Sequence, residues 1–260
     1  MTRILTVFAL VAAGFLALCR PVCGQEAAAS PYSGENMPFF PACAGAVLVY
    51  EDRDAEGSLL SFTTDSTVSV DGDFSRGRAT VLSTVAAPED TQRVATSVPV
   101  IFDGGEVITD VAALMQSSMQ DMVLQSMAAA GSVGEGEEEA VAEVIGKMRV
   151  SGQCRGIPAD ISVGDELPDY GIEVKIMFLT TKIDVKDRRV TGRERIETPA
   201  GTFDCYVVEE ELSVKAMMMN EKSSQKSWYA RGVGLVRQES RIRKKLTGTS
   251  VLTECRNLGN

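Results

Sequence analysis

Two hydrophobic periods divide the chain. From Ala46 onward, apolar positions recur at every second residue in short runs over 46–51, 58–70, 78–86 and 93–102, and the breaks between them carry Gly57, Asp71-Gly72-Asp73 and Gly104-Gly105. Alternation at period two puts one set of side chains on each face of a strand, and glycine or aspartate between such runs marks a hairpin. A meander of antiparallel strands is expected here.

The period then lengthens. Val111, Leu114, Met115, Met119, Met122 and Val123 follow candidate caps at Thr109 and Asp110, which predicts an amphipathic helix over 110–129. Beyond a glycine-rich joint at 131–136 comes a second stripe, Val141, Val144, Ile145 and Met148, with Glu137, Glu138 and Glu139 in its first turn and Lys147 and Arg149 in its last. Those charges complement a helix dipole. The pair reads as a helical hairpin docked on the sheet; the alternative starts a strand within 147–153.

After the loop IPADISVGDELPDYG, alternation returns over 172–186, 190–197, 202–215, 222–231, 234–246 and 250–256. Between Glu194 and Val214, Pro199 and Gly201 take positions i+1 and i+3 of a turn. Phe203, Cys205 and Val207 then share one face, and Asp204, Tyr206 and Val208 the other. The fold class is mainly β with α+β character: an antiparallel curved sheet, half-barrel or sandwich, with a helical hairpin packed on it.

The N-terminus adds a compartment. Arg3, the apolar run Ile4–Leu18, and the small residues Val22 and Gly24 before Gln25 form the pattern of a secretory signal. That run falls short of the roughly 20 apolar residues of a membrane span, and neither Cys19 nor Cys23 has the flanks of a lipidated cysteine. The expected organisation is a signal peptide at 1–24, a disordered leader at 25–36, and one β-rich domain at 37–260 with a helical insert at about 110–149. No transmembrane helix is expected in the mature chain.

Composition narrows the chemistry. The net charge of −10 disfavours a nucleic-acid partner, and the absence of histidine removes imidazole bases, Ser-His-Asp systems and nearly all catalytic zinc sites. No cofactor and no metal is called for. Cys43, Cys154, Cys205 and Cys255 remain beyond the signal; in an exported protein they are disulfide candidates, with at least one bridge expected and three pairings open.

Other motifs each have a plain competitor. Asp52–Gly57 mimics half a calcium loop but has Thr63 where the closing Glu belongs, so a hairpin turn is the better reading. Gly232-Val233-Gly234 suits a kink or bulge in a curved strand pair. The Glu-rich run Glu135–Glu139 reads as a solvated helix start, and Arg241–Lys245 is a basic island that either discourages strand aggregation or meets anionic lipid or polysaccharide. Met217, Met218 and Met219 occupy a hairpin tip. With Met115, Met119 and Met122 they are candidates to line an adaptable apolar groove, and Trp228, the only tryptophan, is grouped with them as a candidate ligand contact.

ERIETPAGTFDCYVV followed by SWYARGVGLVRQES, with GDELPDY upstream and FFP and YEDRDAEG near the start, resembles the TapB family of exported proteins of Gram-negative bacteria, a domain of unknown function. The resemblance implies a β half-barrel or sandwich of the LolA/LolB-like or YmcC-like kind, placed in the periplasm or outer envelope, and supplies no catalytic residues. Two classes of function stay open. One is a non-catalytic envelope protein binding an apolar ligand, lipoprotein, envelope polymer or surface-assembly component. The other is a carboxylate-dependent, glycosidase-like hydrolase drawing on Asp165, Glu166, Asp169 or Glu209–Glu211. A structural or adhesion module without a ligand is a third reading, and the oligomeric state is open. The non-catalytic reading is the one favoured.

Overall fold

The structure is a computed structural model that describes residues 34–41, 43–89, 93–115, 117–118, 146, 148–176 and 179–258. The expected signal peptide, most of the leader and the Glu-rich run lie outside the described residues. Twelve strands form one sheet: β1 (Val47–Asp54), β2 (Leu59–Gly72), β3 (Arg76–Ala86), β4 (Arg93–Asp103), β5 (Glu106–Thr109), β6 (Arg149–Gly152), β7 (Tyr170–Ile176), β8 (Leu179–Thr198), β9 (Gly201–Ala216), β10 (Met219–Ala230), β11 (Gly234–Ile242) and β12 (Lys245–Arg256). Their order is β5-β4-β3-β2-β1-β12-β11-β10-β9-β8-β7-β6, with every neighbour antiparallel. The alternating pattern therefore becomes a meander on each side of a central β1–β12 pair.

Several boundaries differ from the sequence reading. The expected strand over 172–186 is split into β7 and the start of β8, and the expected strand over 190–197 is the continuation of β8. A bulge between Lys186 and Arg189, with Asp187 at φ +52°, lets one long strand carry two apolar runs of different phase. Likewise β11 ends at Ile242, because Arg243 and Lys244 both take positive φ and make a two-residue turn without glycine. Gly248, in the break between the expected strands over 234–246 and 250–256, instead lies within β12, 3.1 Å from the Arg53 carbonyl measured at an added Cβ.

The helical expectation is only partly met. Residues 111–115 and 117–118 are helical; the Asp110 carboxylate accepts the Ala113 N–H at 3.1 Å and the Asp110 carbonyl the Leu114 N–H at 2.9 Å, an N-cap as the sequence suggests. Arg149, assigned by its charge to a helix C-terminus, is in β6. The described residues thus support one short helix and not a helical hairpin, and most of both stripes falls outside them.

Curvature follows from where the apolar faces meet. One cluster joins Val81, Val98, Val100, Phe102 and Val107 of β3–β5 to Ile172 and Val174 of β7, with Phe40, Val111, Leu114 and Cys154 between. These strands are near opposite ends of the sheet order, so the sheet is curled with one face inward. The seam between its edges is bridged outside the ladder: Arg155 Nη1 donates to Glu106 Oε2 of β5 at 2.9 Å, and Gly156 packs so closely on Val107 that a Cβ would meet its carbonyl oxygen at 1.8 Å. Only glycine fits there.

Candidate functional site

Two segments cross the inside of the curl. Phe39 and Phe40, adjacent in sequence, point into different apolar clusters; Phe39 stands edge-on to Tyr206 at 5.5 Å and Tyr229 at 6.5 Å, and Phe40 edge-on to Phe102 at 5.7 Å. The long connection after β6 follows the same path, burying Cys154 in one cluster and Ile157, Ile161 and Leu167 in the other. Its sequence, IPADISVGDELPDYG, reads as a loop by its Pro, Gly and Asp content, and only the aliphatic Ile157, Ile161 and Leu167 within it hint that it is interior.

Two arginines hold these segments to the sheet. Arg231, in the turn between β10 and β11, donates through Nη1 to the carbonyls of Met37 at 2.9 Å and Ala159 at 2.5 Å, and stacks over the Phe39 and Tyr206 rings at 4.7 and 5.0 Å. Gly232, at φ +70°, follows it and donates its N–H to the Pro38 carbonyl at 2.8 Å. Arg188, turned inward by the β8 bulge, donates to Glu210 Oε2 at 3.1 Å, the Pro168 carbonyl at 2.9 Å and the Gly156 carbonyl at 3.0 Å. Burial acts to lower the Arg188 pKa, but the Glu210 carboxylate, with the Tyr170 and Tyr229 phenols, outweighs it, and the guanidinium is held above its ordinary value. WYARGVGLV is thus a clamp, and Arg188 is a second one that alternation alone does not reveal.

The remaining inner face has two kinds of wall. On β7–β9 it presents Ile172, Val174, Ile183, Val185, Leu212 and Val214, joined in register. On β10–β3 the face turns polar: Gln238 Nε2 donates to Gln225 Oε1 at 3.2 Å and Ser227 Oγ at 3.0 Å, Ser61 and Thr63 donate to Asp52 Oδ2 at 3.0 and 2.9 Å, and Ser83 donates to Asp65 Oδ1 at 2.7 Å. An apolar wall beside a hydroxyl, amide and carboxylate wall suits an amphipathic occupant.

The candidate ligand residues are not gathered in one place. Met217, Met218 and Met219 are at the tip between β9 and β10, with 79%, 100% and 48% of their surface exposed. Trp228 is nine residues along β10, roughly 30 Å at about 3.3 Å per residue, and is buried on the outer face, where its Nε1 donates to Glu194 Oε2 at 2.8 Å between the Lys226 and Arg237 cations. Met115 is partly buried against the β3–β5 cluster. Met119 and Met122 lie outside the described residues.

The hydrolase carboxylates are dispersed. Glu209 and Glu211 face outward, Glu210 is paired to Arg188, and Asp165 closes its own turn by accepting the Ser162 N–H at 2.7 Å. Asp54, in the calcium-like motif, accepts the N–H groups of Glu56 and Ser58 at 3.0 and 2.7 Å as a hairpin turn does. A polar depression of about 590 Å³ around Asp71, Arg76, Arg78 and Asp103 opens beside edge strand β5.

The disulfide expectation is corrected: no bridge links Cys43, Cys154, Cys205 and Cys255. The topology separates them, with Cys154 among the β3–β7 contacts, Cys205 on the outer face of β9, and Cys255 at the end of β12, its thiol 3.9 Å from the Ala200 carbonyl. Cys154 and Cys205 lie within the apolar clusters, and Cys255 packs against one of them. Burial, with Asp204 and Glu194 nearby, pushes the Cys205 thiol up to about 12.

Comparison with known proteins agrees with this architecture. Two solved structures superpose on the chain with TM-scores of 0.60: a protein from Bacteroides fragilis described as exported, with a YmcC-like fold, at 19% identity over 85% of this chain and 100% of that one, and a protein from Parabacteroides distasonis described as a lipoprotein, at 21% identity over 85% and 99%. The fold resembles the YmcC-like fold. Residues 137–252 match a family model described as DUF3108-like, a span that contains β6–β11, both arginine clamps and most of β12. No curated protein matches significantly. The YmcC-like part of the sequence resemblance therefore stands, and its TapB and LolA/LolB parts receive no support. Among the described residues no helix is long and apolar enough to cross a membrane.

Proposed function

We propose that this is a non-catalytic, exported protein of the cell envelope that holds an amphipathic envelope component, a lipid or lipidated chain, against the inner face of its curled sheet. The observation that carries the reading is the division of that face: aliphatic side chains on β7–β9 beside Asp52, Ser61, Thr63, Gln225 and Gln238 on β10–β2. Acyl carbons gain about 25 cal/mol for each Å² withdrawn from water against the first wall, and a head group finds hydrogen-bond partners on the second. The reading places the protein in the periplasm or outer envelope of a Gram-negative bacterium. It also supplies a role for the clamps, which fix the interior segments so that the walls keep their spacing.

Titration with a dansylated fatty acid is the test. Saturable binding that weakens in Ile183→Ser and Val214→Ser, both partly buried positions whose folding is checked by circular dichroism, supports the proposal. Binding equal in wild type and both variants places the acyl chain elsewhere.

A further inference from the structure

The rim formed by the β9–β10 and β11–β12 hairpins combines two features. The β9–β10 tip exposes three consecutive methionines, and Met217 holds φ +51°, an uncommon conformation for a non-glycine residue outside a tight turn. The register pairs Ser224 with Arg241, so the methionine tip and the Arg243-Lys244 turn are on adjacent hairpins at the same end of the sheet. Residues 215–222 and 241–245 contain six cations, Lys215, Lys222, Arg241, Arg243, Lys244 and Lys245, against one carboxylate, Glu221. The chain as a whole carries a net charge of −10. Arg241 is ion-paired with Glu239, but Arg243, Lys244 and Lys245 are exposed.

We propose that this rim docks on an anionic lipid surface, the methionines entering the head-group boundary and Arg243, Lys244 and Lys245 meeting lipid phosphates. Charge complementarity selects the occupant: an acidic protein repels an anionic bilayer everywhere except where its cations are concentrated, and it concentrates them on the hairpin next to its exposed methionines, about five residues short of their tip, so the sheet meets the surface at a slant. The acidic β1–β2 tip, with Asp54 and Glu56, lies at the same end of the sheet and orients the rim so that β9–β12 approach first. Docking does not depend on the inner-face reading.

Protein purified from the host envelope is sedimented with vesicles of phosphatidylcholine alone and of phosphatidylcholine with a third phosphatidylglycerol. Binding to the anionic vesicles only is expected, falling about tenfold or more in Arg243→Glu/Lys244→Glu/Lys245→Glu and in high salt, where a Debye length of about 4 Å screens the contact. A Met218→Trp variant is expected to be quenched by brominated lipid, whereas Trp228, on the outer face far down the strand, is not. Absence of vesicle binding, or binding that neither the charge reversal nor Met217→Ser/Met218→Ser/Met219→Ser reduces, overturns the proposal.

Discussion

Arg188 and Glu210 form an ion pair inside the protein, with Nε and Oε2 3.1 Å apart and only 3% and 6% of the two side chains exposed. The guanidinium also carries the carbonyls of Gly156 and Pro168, so one side chain ties β8 and β9 to both ends of the interior connection. Replacing Arg188 with Met leaves a buried carboxylate and two carbonyls without these donors, an expected loss of about 3–5 kcal/mol. The double variant Arg188→Met/Glu210→Leu is expected to recover much of it. Urea unfolding measures both, and a single variant that costs less than about 1 kcal/mol would contradict the clamp.

Arg231→Met is expected to loosen the two crossing segments while sparing the sheet. It removes the donors to Met37 and Ala159 and the cation above Phe39 and Tyr206, a loss of about 1–3 kcal/mol. Limited proteolysis should cut within 37–41 or 153–168 before it cuts any strand.

The cysteines give a redox prediction. Non-reducing peptide mapping should recover Cys43, Cys154, Cys205 and Cys255 without a bridge. Cys205 should resist alkylation at pH 8 until the protein is unfolded. Its folded pKa, raised to about 12 by burial, is above its ordinary value of 9.0, so its contribution to stability is present below about pH 9 and is lost as pH rises toward 12. Cys205→Ala should flatten that alkaline limb.

Trp228 reports on Glu194. The indole hydrogen bond is the main cause that holds the Glu194 carboxyl below its ordinary value, opposed by desolvation and aided by Lys226 and Arg237. A depressed carboxylate contributes stability above its ordinary pKa and loses it as pH falls through the lowered value. Trp228 emission should therefore titrate with a midpoint below 4.5, and Glu194→Gln should abolish the step.

Sequence patterning reached the sheet because most of its strands bury one face, and alternation at Phe203–Val208 survives into the register. Strand ends at Ile176, Leu179 and Ile242 were not legible, since those turns carry no glycine or proline. The inner walls were hidden for a different reason: Ser61, Thr63, Gln225 and Gln238 are polar residues on the concave side, so a hydrophobic pattern assigns them no particular role. The clamps depend on contacts between residues as distant as Met37 and Arg231, which no local window contains. Met217–Met219 and Trp228 share one hairpin strand in sequence, but strand length separates them.

Native mass spectrometry of the protein drawn from its own envelope tests the central claim most directly. The expected spectrum shows a bound amphipathic molecule, with an acyl chain and a polar head, that is retained by wild type and lost from Ile183→Ser/Val214→Ser. A spectrum of ligand-free protein from wild type, or an adduct that survives the double substitution unchanged, would contradict an inner-face binding role.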